Sequence, residues 1–268
     1  MGLKNVTGIA LITGASRGIG ATYADRLARR GFDLILVARD QRRLEHLASR
    51  IATATKRNVS IIAADLSTPA GIARVESEME MNNRINLVVN NAGVADLGGP
   101  LSQSDVKKMD ASIQVNITAF TRIARSAAAA FTRRRYGTLV NVSSALAVRV
   151  RPNTAVYSGT KAYVLQFSRV LQQELAEKGV SVQVVLPGAV ATDIWAASNI
   201  DVATLPKGTV MSADELVDAA LAGLEQGEFI TIPSLPDAGE WERFEAARNA
   251  LSQNLSRDHA AERYKAMA

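Results

Sequence analysis

Six short runs of aliphatic and β-branched residues recur along this chain, and a longer amphipathic stretch separates each from the next. The runs are GIALITG, DLILVAR, NVSIIAAD, NLVVNNAG, GTLVNVSS and VSVQVVLPG. Each is apolar almost throughout, as expected of strands covered on both faces. The intervening stretches, 18–30, 40–54, 69–81, 104–131 and 154–178, carry apolar residues at helical spacing. A further helix at 212–226 and a strand in EFITIPS continue the rhythm. Strand–helix alternation of this kind predicts an α/β fold: a single doubly wound domain of the Rossmann type, with a parallel sheet of about seven strands and helices on both faces. The domain is expected over 1–234. It includes a long apolar excursion at 189–211, read as a substrate lid, and a charged helical tail at 235–268 is expected to pack on it.

Composition narrows the chemistry. The 268 residues include no cysteine, so disulfides and thiolate metal sites are excluded, and His46 and His259 both lie in charged, helix-like contexts, so no metal is expected. A net charge of +5 raises the question of nucleic acid, with Arg133, Arg134 and Arg135 consecutive in TRRRYG. A solvated helix end explains that cluster more simply. No apolar run approaches the ~18 residues of a membrane span, and the N-terminus lacks signal-peptide regions. These features predict a cytoplasmic protein with no nucleic-acid partner and no membrane span.

After the first strand comes TGASRGIG, residues 13–20, with Gly14, Gly18 and Gly20 around Arg17. Glycine costs backbone entropy, so a cluster of it points to something approaching the backbone closely. A strand, a glycine turn and a helix together make a phosphate cradle, because the helix start offers N–H groups and a positive dipole end. A tight turn without a ligand would read the same way. Further on, YSGTK places Tyr157 and Lys161 four residues apart, on one helix face. A lysine cation beside a phenol is expected to draw its pKa below the usual value of about 10 and to make it an acid–base group. Taken alone, the pair is also common on helix surfaces.

The spacing G-x-x-x-G-x-G, together with ADLS, NNAG, the serine at the end of the fifth strand and YSGTK, resembles the short-chain dehydrogenase/reductase family. The likeness runs from about Thr7 to Thr192. It implies that Gly14, Ser16, Arg17, Gly18, Ile19 and Gly20 hold the dinucleotide, with Asp65 and Leu66 at the adenine and Asn91, Ala92 and Gly93 below the ribose. Asp65 on its own reads as a helix cap. The resemblance assigns Ser144 to the substrate oxygen, with Ser143 its competitor, and Asn116 to a water-linked proton path reaching Lys161. Tyr157 would then move a proton to or from a carbonyl or alcohol oxygen while hydride passes to or from the nicotinamide. Tyr157 and Lys161 would also touch the cofactor.

The second strand ends LILVARD. An NAD site commonly places an acid there, whereas Arg39 suits a 2′-phosphate. Arg17 would reach the same phosphate, so NADP(H) is expected. Asp40 could instead serve NAD, unless it caps the next helix. In LPGAVATDIW, Pro187, Gly188, Val190 and Thr192 would contact the cofactor, and Ile194 and Trp195, with Leu146, the substrate. The apolar excursion points to an apolar carbonyl or alcohol, unless its side chains only pack the lid. A homodimer through 104–131 and 154–178 is implied, while EFITIPSLPDAGEW departs from the family's ending and puts a tetramer in doubt. A non-catalytic NADP(H)-binding sensor is the rival reading. The intact set Asn116, Ser144, Tyr157 and Lys161 argues against it.

Overall fold

The computed structural model describes residues 8–95, 99–192 and 204–265. Its strands are β1 (Ile9–Thr13), β2 (Asp33–Ala38), β3 (Val59–Ala63), β4 (Ile85–Asn90), β5 (Gly137–Val142), β6 (Val180–Val185), β7 (Ala189–Val190), β8 (Val210–Met211) and β9 (Ile230–Thr231). The helices are α1 (Gly18–Arg29), α2 (Gln41–Thr55), α3 (Pro69–Met81), α4 (Val106–Ile113), α5 (Phe120–Arg134), α6 (Ala155–Leu175), α7 (Ala213–Gln226) and α8 (Ala238–Ser252). Seven strands form one parallel sheet in the order β3-β2-β1-β4-β5-β6-β9.

The continuously apolar strands split by parity, because successive side chains point to opposite faces. Ala10, Ile12, Leu34 and Leu36 join Leu27 of α1, Leu44 of α2 and Leu216 of α7 in one core. Leu11, Ile35 and Val37 join Ile72 of α3, Ile123 of α5 and Leu171 of α6 in the other. The strand order reverses between β1 and β4, which opens a crevice at their carboxyl ends, where open α/β sheets bind ligands.

The stretch expected as one helix over 104–131 is broken. Between α4 and α5, residues Gln114–Ala119 form a π-helical segment. The excursion after β6 is also more ordered at its base than expected: β7 pairs in parallel with β8, and the Ala191 amide donates to Met211. The arginine run is absorbed locally. Arg134 donates to the Ile85 carbonyl and lies over the Phe131 ring, and Arg135 donates to the Glu177 carbonyl.

The chain forms two compact units, one ending at Pro233 and one beginning at Ser234. In the second, Asp237 caps α8 through the Gly239 amide, and Trp241 packs on Phe244 with ring centroids 5.0 Å apart. Among the described residues, no helix is long and apolar enough to cross a membrane.

Candidate active site

The glycine turn leaves β1 with Gly14 at φ +67° and Gly18 at φ +52°, both in the left-handed region that disfavours a side chain. The space that the glycines leave is partly filled by the protein itself. A Cβ on Gly20 would stand 2.3 Å from the Gly14 carbonyl oxygen, and one on Gly14 would stand 2.9 Å from Asn91 Nδ2. A Cβ on Gly18 would meet Thr192 Cγ2 at 3.0 Å. The cluster therefore lets β1, α1, the segment after β4 and the segment after β6 close on one another, so the tight-turn reading of these glycines holds beside the ligand one. Ile19 packs its side chain against the first core.

At the start of α1, the N-cap residue Arg17 is extended and makes no side-chain capping bond, and the first turn holds no acid. In contrast, α2, α3, α4 and α7 are capped by Asp40, Thr68, Asp105 and Ser212. A helix start with a positive dipole end and no side-chain cap from its N-cap residue suits an anion.

Asp40 spends Oδ1 on the Arg43 amide at 3.0 Å and Oδ2 on the Arg43 side chain at 3.2 Å, so it acts as the cap. Asp65 is not the cap of α3, since Thr68 takes that place by accepting from the Gly71 amide. Instead Asp65 Oδ1 accepts from the Ser67 amide and hydroxyl at 2.9 and 2.8 Å. Burial raises its pKa, but the Ser67 donors and nearby Arg39 outweigh that and hold the carboxyl below its ordinary value. Leu66 is buried in the second core. A concavity of about 390 Å³ opens beside Ser67, Pro69, Asp110 and Gln114.

Thr13, which sequence reasoning passed over, organises the next layer. Its hydroxyl accepts from the amides of Asn91 and Ala92, each at 3.0 Å, and Asn91 Nδ2 returns a bond to the Thr13 carbonyl at 2.9 Å. The residue before a glycine turn carries no sequence mark of this role beyond its hydroxyl. Gly93 lies against the catalytic candidates, for a Cβ there would stand 3.3 Å from Asn116 Oδ1 and 3.4 Å from Lys161 Nζ.

The ends of β5 and the start of α6 bring Ser144, Tyr157 and Lys161 together. Ser144 hydrogen-bonds Tyr157, and its Oγ accepts from the Leu146 amide at 3.1 Å. Ser143 faces elsewhere and donates to the Lys161 carbonyl at 2.7 Å. Lys161 Nζ donates to the Val142 carbonyl at 3.0 Å and lies 5.8 Å from the Tyr157 ring centroid. Asn116, in the π segment, clasps Val94: Oδ1 accepts from its amide at 2.9 Å, and Nδ2 donates to its carbonyl at 2.8 Å. Nδ2 also donates to Thr160 Oγ1 at 3.1 Å, and Thr160 Oγ1 donates to the Tyr157 carbonyl at 2.8 Å.

Burial pushes the Tyr157 phenol up to about 12, against the lowering effect of its bond with Ser144. Burial also pushes the Lys161 ammonium down to about 8. The expectation that Lys161 draws the phenol down is thus not met in the protein alone. Desolvation dominates at both groups, and only the Ser144 bond works against it at the phenol. Beyond β6, the Pro187 carbonyl accepts from the Ala145 amide at 2.8 Å, tying the proline–glycine turn to the Ser144 loop. Gly188 is exposed, Val190 is buried, and Thr192 approaches Gly18. Ser16 is half-buried in the glycine turn. Ile194 and Trp195 lie outside the described residues.

A family model described as short chain dehydrogenase matches residues 8–203. The chain is similar to a solved short-chain dehydrogenase from Sphingobium yanoikuyae in complex with NADPH, at 44% identity and TM-score 0.92, over 96% of this chain and 100% of that one. It is also similar to a bulky-bulky ketone specific alcohol dehydrogenase from Comamonas testosteroni, at 41% identity and TM-score 0.88, over 96% and 98% of the two chains. A human protein described as inactive hydroxysteroid dehydrogenase-like protein 1 is 36% identical over 191 residues, which are 71% of this chain. The match spans 58% of that relative's length.

Proposed function

The chain belongs to the short chain dehydrogenase family, and from that premise we propose that it is an NADP(H)-dependent oxidoreductase acting on a bulky apolar ketone or the matching secondary alcohol. The observation that carries this reading is the grouping of Ser144 and Lys161 about Tyr157, with Gly93 against Lys161 and Asn116. The NADPH complex of the Sphingobium protein and the substrate named for the Comamonas protein support the cofactor and the substrate class.

The residues present fit the cofactor. The uncapped start of α1 and the left-handed Gly14 and Gly18 suit its pyrophosphate. Arg17 and Arg39 supply cations for a 2′-phosphate, and Asp40 is occupied as the cap of α2. Asp65 and Leu66 would flank the adenine, Asn91 to Gly93 the ribose, and Pro187, Gly188, Val190 and Thr192 the nicotinamide. When bound, the cofactor supplies or accepts the hydride.

The chain's own residues handle the substrate oxygen and its proton. Ser144 Oγ holds the oxygen, and Tyr157 donates the proton as the carbonyl is reduced. A phenol pushed up to about 12 stays protonated at neutral pH, which suits this direction. Lys161, pushed down to about 8, exchanges its proton close to working pH and resupplies Tyr157. Asn116 holds Val94 and the π segment in place for that relay. A homodimer through α4, α5 and α6 is proposed as well, with the exposed Val106, Ile113 and Val170 as its apolar contacts.

The decisive experiment follows NADPH consumption with a panel of diaryl and branched-alkyl ketones, with Tyr157→Phe alongside. Turnover that drops at least about 100-fold in the variant, with NADPH binding unchanged, supports the proposal. Tight NADPH binding without turnover would favour a non-catalytic sensor, the reading raised by the human relative described as inactive.

A further inference from the structure

Thr160 sits between Tyr157 and Lys161 in the chain, is buried, and has a hydroxyl engaged on both sides. A threonine hydroxyl has one proton. Here that proton goes to the Tyr157 carbonyl at 2.8 Å, so toward Asn116 the oxygen acts only as an acceptor. Asn116 must then present Nδ2 to Thr160, which leaves Oδ1 for the Val94 amide. Rotating the amide by half a turn would set its oxygen against the Val94 carbonyl and its NH₂ against the Val94 amide. The Val94 backbone thus already fixes the sense of the Asn116 amide, and the buried Thr160 hydroxyl supplies the acceptor for its remaining N–H.

We propose that Thr160 is a positioning residue, which holds the Asn116 amide by accepting from Nδ2 and couples the π segment to the backbone of Tyr157. The inference rests on the catalytic reading above for its effect on rate, but its structural content does not depend on that reading. Three segments that no secondary-structure ladder connects meet in this chain of bonds: the one after Gly93, the π segment, and the first turn of α6. Without the hydroxyl, Asn116 Nδ2 keeps the Val94 carbonyl at 2.8 Å, and its remaining alternative is Ser112 Oγ at 3.4 Å. Such a weak replacement leaves a buried donor poorly satisfied and the clasp on Val94 without its anchor to α6.

The test compares Thr160→Val, which keeps the shape, with Thr160→Ser, which keeps the hydroxyl, in the full chain. The first readout is hydrogen exchange at the Val94 amide, measured without cofactor. The second is kcat against the KM for NADPH. Thr160→Val is expected to speed Val94 exchange at least about 10-fold and to lower kcat about 10- to 100-fold with KM unchanged, because a small misplacement of reacting groups costs about that much. Thr160→Ser is expected to restore both. Unchanged Val94 exchange in Thr160→Val overturns the proposal, as does exchange that Thr160→Ser fails to restore. If the wild type turns over no ketone, the catalytic reading fails and the exchange data still decide the role of Thr160. Thr160→Ala replaces Thr160→Val should that variant not fold.

Discussion

Ser143 and Lys161 are joined by a buried bond of 2.7 Å, hydroxyl to backbone carbonyl, which pins α6 to the end of β5. Its neighbour Ser144 points the other way, to Tyr157, as consecutive residues in extended chain do. Ser144→Ala is therefore expected to lower kcat about 100-fold, the usual cost of losing a donor to the reacting oxygen, with little change in stability. Ser143→Ala should instead cost about 1 kcal/mol of stability through the lost bond, with a smaller effect on rate. Steady-state kinetics and urea unfolding on the two variants check this. Equal kinetic losses would count against the division of roles.

Lys161 should leave a mark on stability against pH. Its pKa falls from 10.5 when exposed to about 8 in the folded chain. Between those values the unfolded chain holds the proton and the folded chain has released it, so stability rises with pH. Tyr157, pushed up to about 12, acts in the opposite sense only above the ordinary tyrosine pKa of 10.0. Unfolding free energy should therefore grow by about 2 kcal/mol from about pH 8 to about pH 9.5, and Lys161→Met should flatten that rise. A wild-type curve as flat as the variant's would show that the lysine is not desolvated.

Two glycines predict opposite outcomes. Gly159 lies within α6, and a Cβ there would meet nothing within 4 Å. Gly159→Ala should thus stabilise the chain by roughly 0.5–1 kcal/mol through helix propensity. Gly20 also lies in a helix, but its Cβ would overlap the Gly14 carbonyl. Gly20→Ala should cost about 2 kcal/mol or more and weaken NADPH binding with it. Thermal unfolding separates the two cases, and a neutral Gly20→Ala would mean that the turn can shift.

Cofactor choice should follow charge. Arg39 is exposed at the end of β2, close enough to Asp65 to lower its pKa. Arg39→Asp is expected to raise KM for NADPH about 10- to 100-fold, the usual worth of a charge-assisted bond, and to leave NADH unchanged or improved. Arg17→Ala should move KM in the same direction by less. Titration with both cofactors decides the matter, and an unaltered preference in both variants would remove the arginines from the explanation.

The sheet was legible because strands buried on both faces are mostly aliphatic, so β1, β2, β4, β5 and β6 stand out as apolar runs despite buried polar residues such as Asn141 and Gln183. β7 and β8 were not legible, because two residues each carry no period and their pairing joins positions some twenty apart. The glycine and tyrosine–lysine motifs pointed to the candidate site, yet not to its energetics. Asp65 read as a cap because nothing local reveals that Thr68 takes that role. The tyrosine's raised pKa depends on burial, which a sequence shows only in outline. Thr13 and Thr160 were missed because a hydroxyl's partner is a property of the fold, not of its neighbours in the chain.

The π segment did leave a trace, which can be read backwards. Ser112, Asn116, Phe120 and Ala124 are all buried, at intervals of four, where a regular helix repeats every ~3.6 residues. The helix carries one residue more than its turns require, and that surplus delivers Asn116 and Phe120 to the same side. Deleting any one residue of 114–119 would let the helix close into regular winding and swing everything before it by ~100° relative to α5. The number of residues here is thus constrained independently of their identity: the segment can absorb a substitution far more readily than a gap.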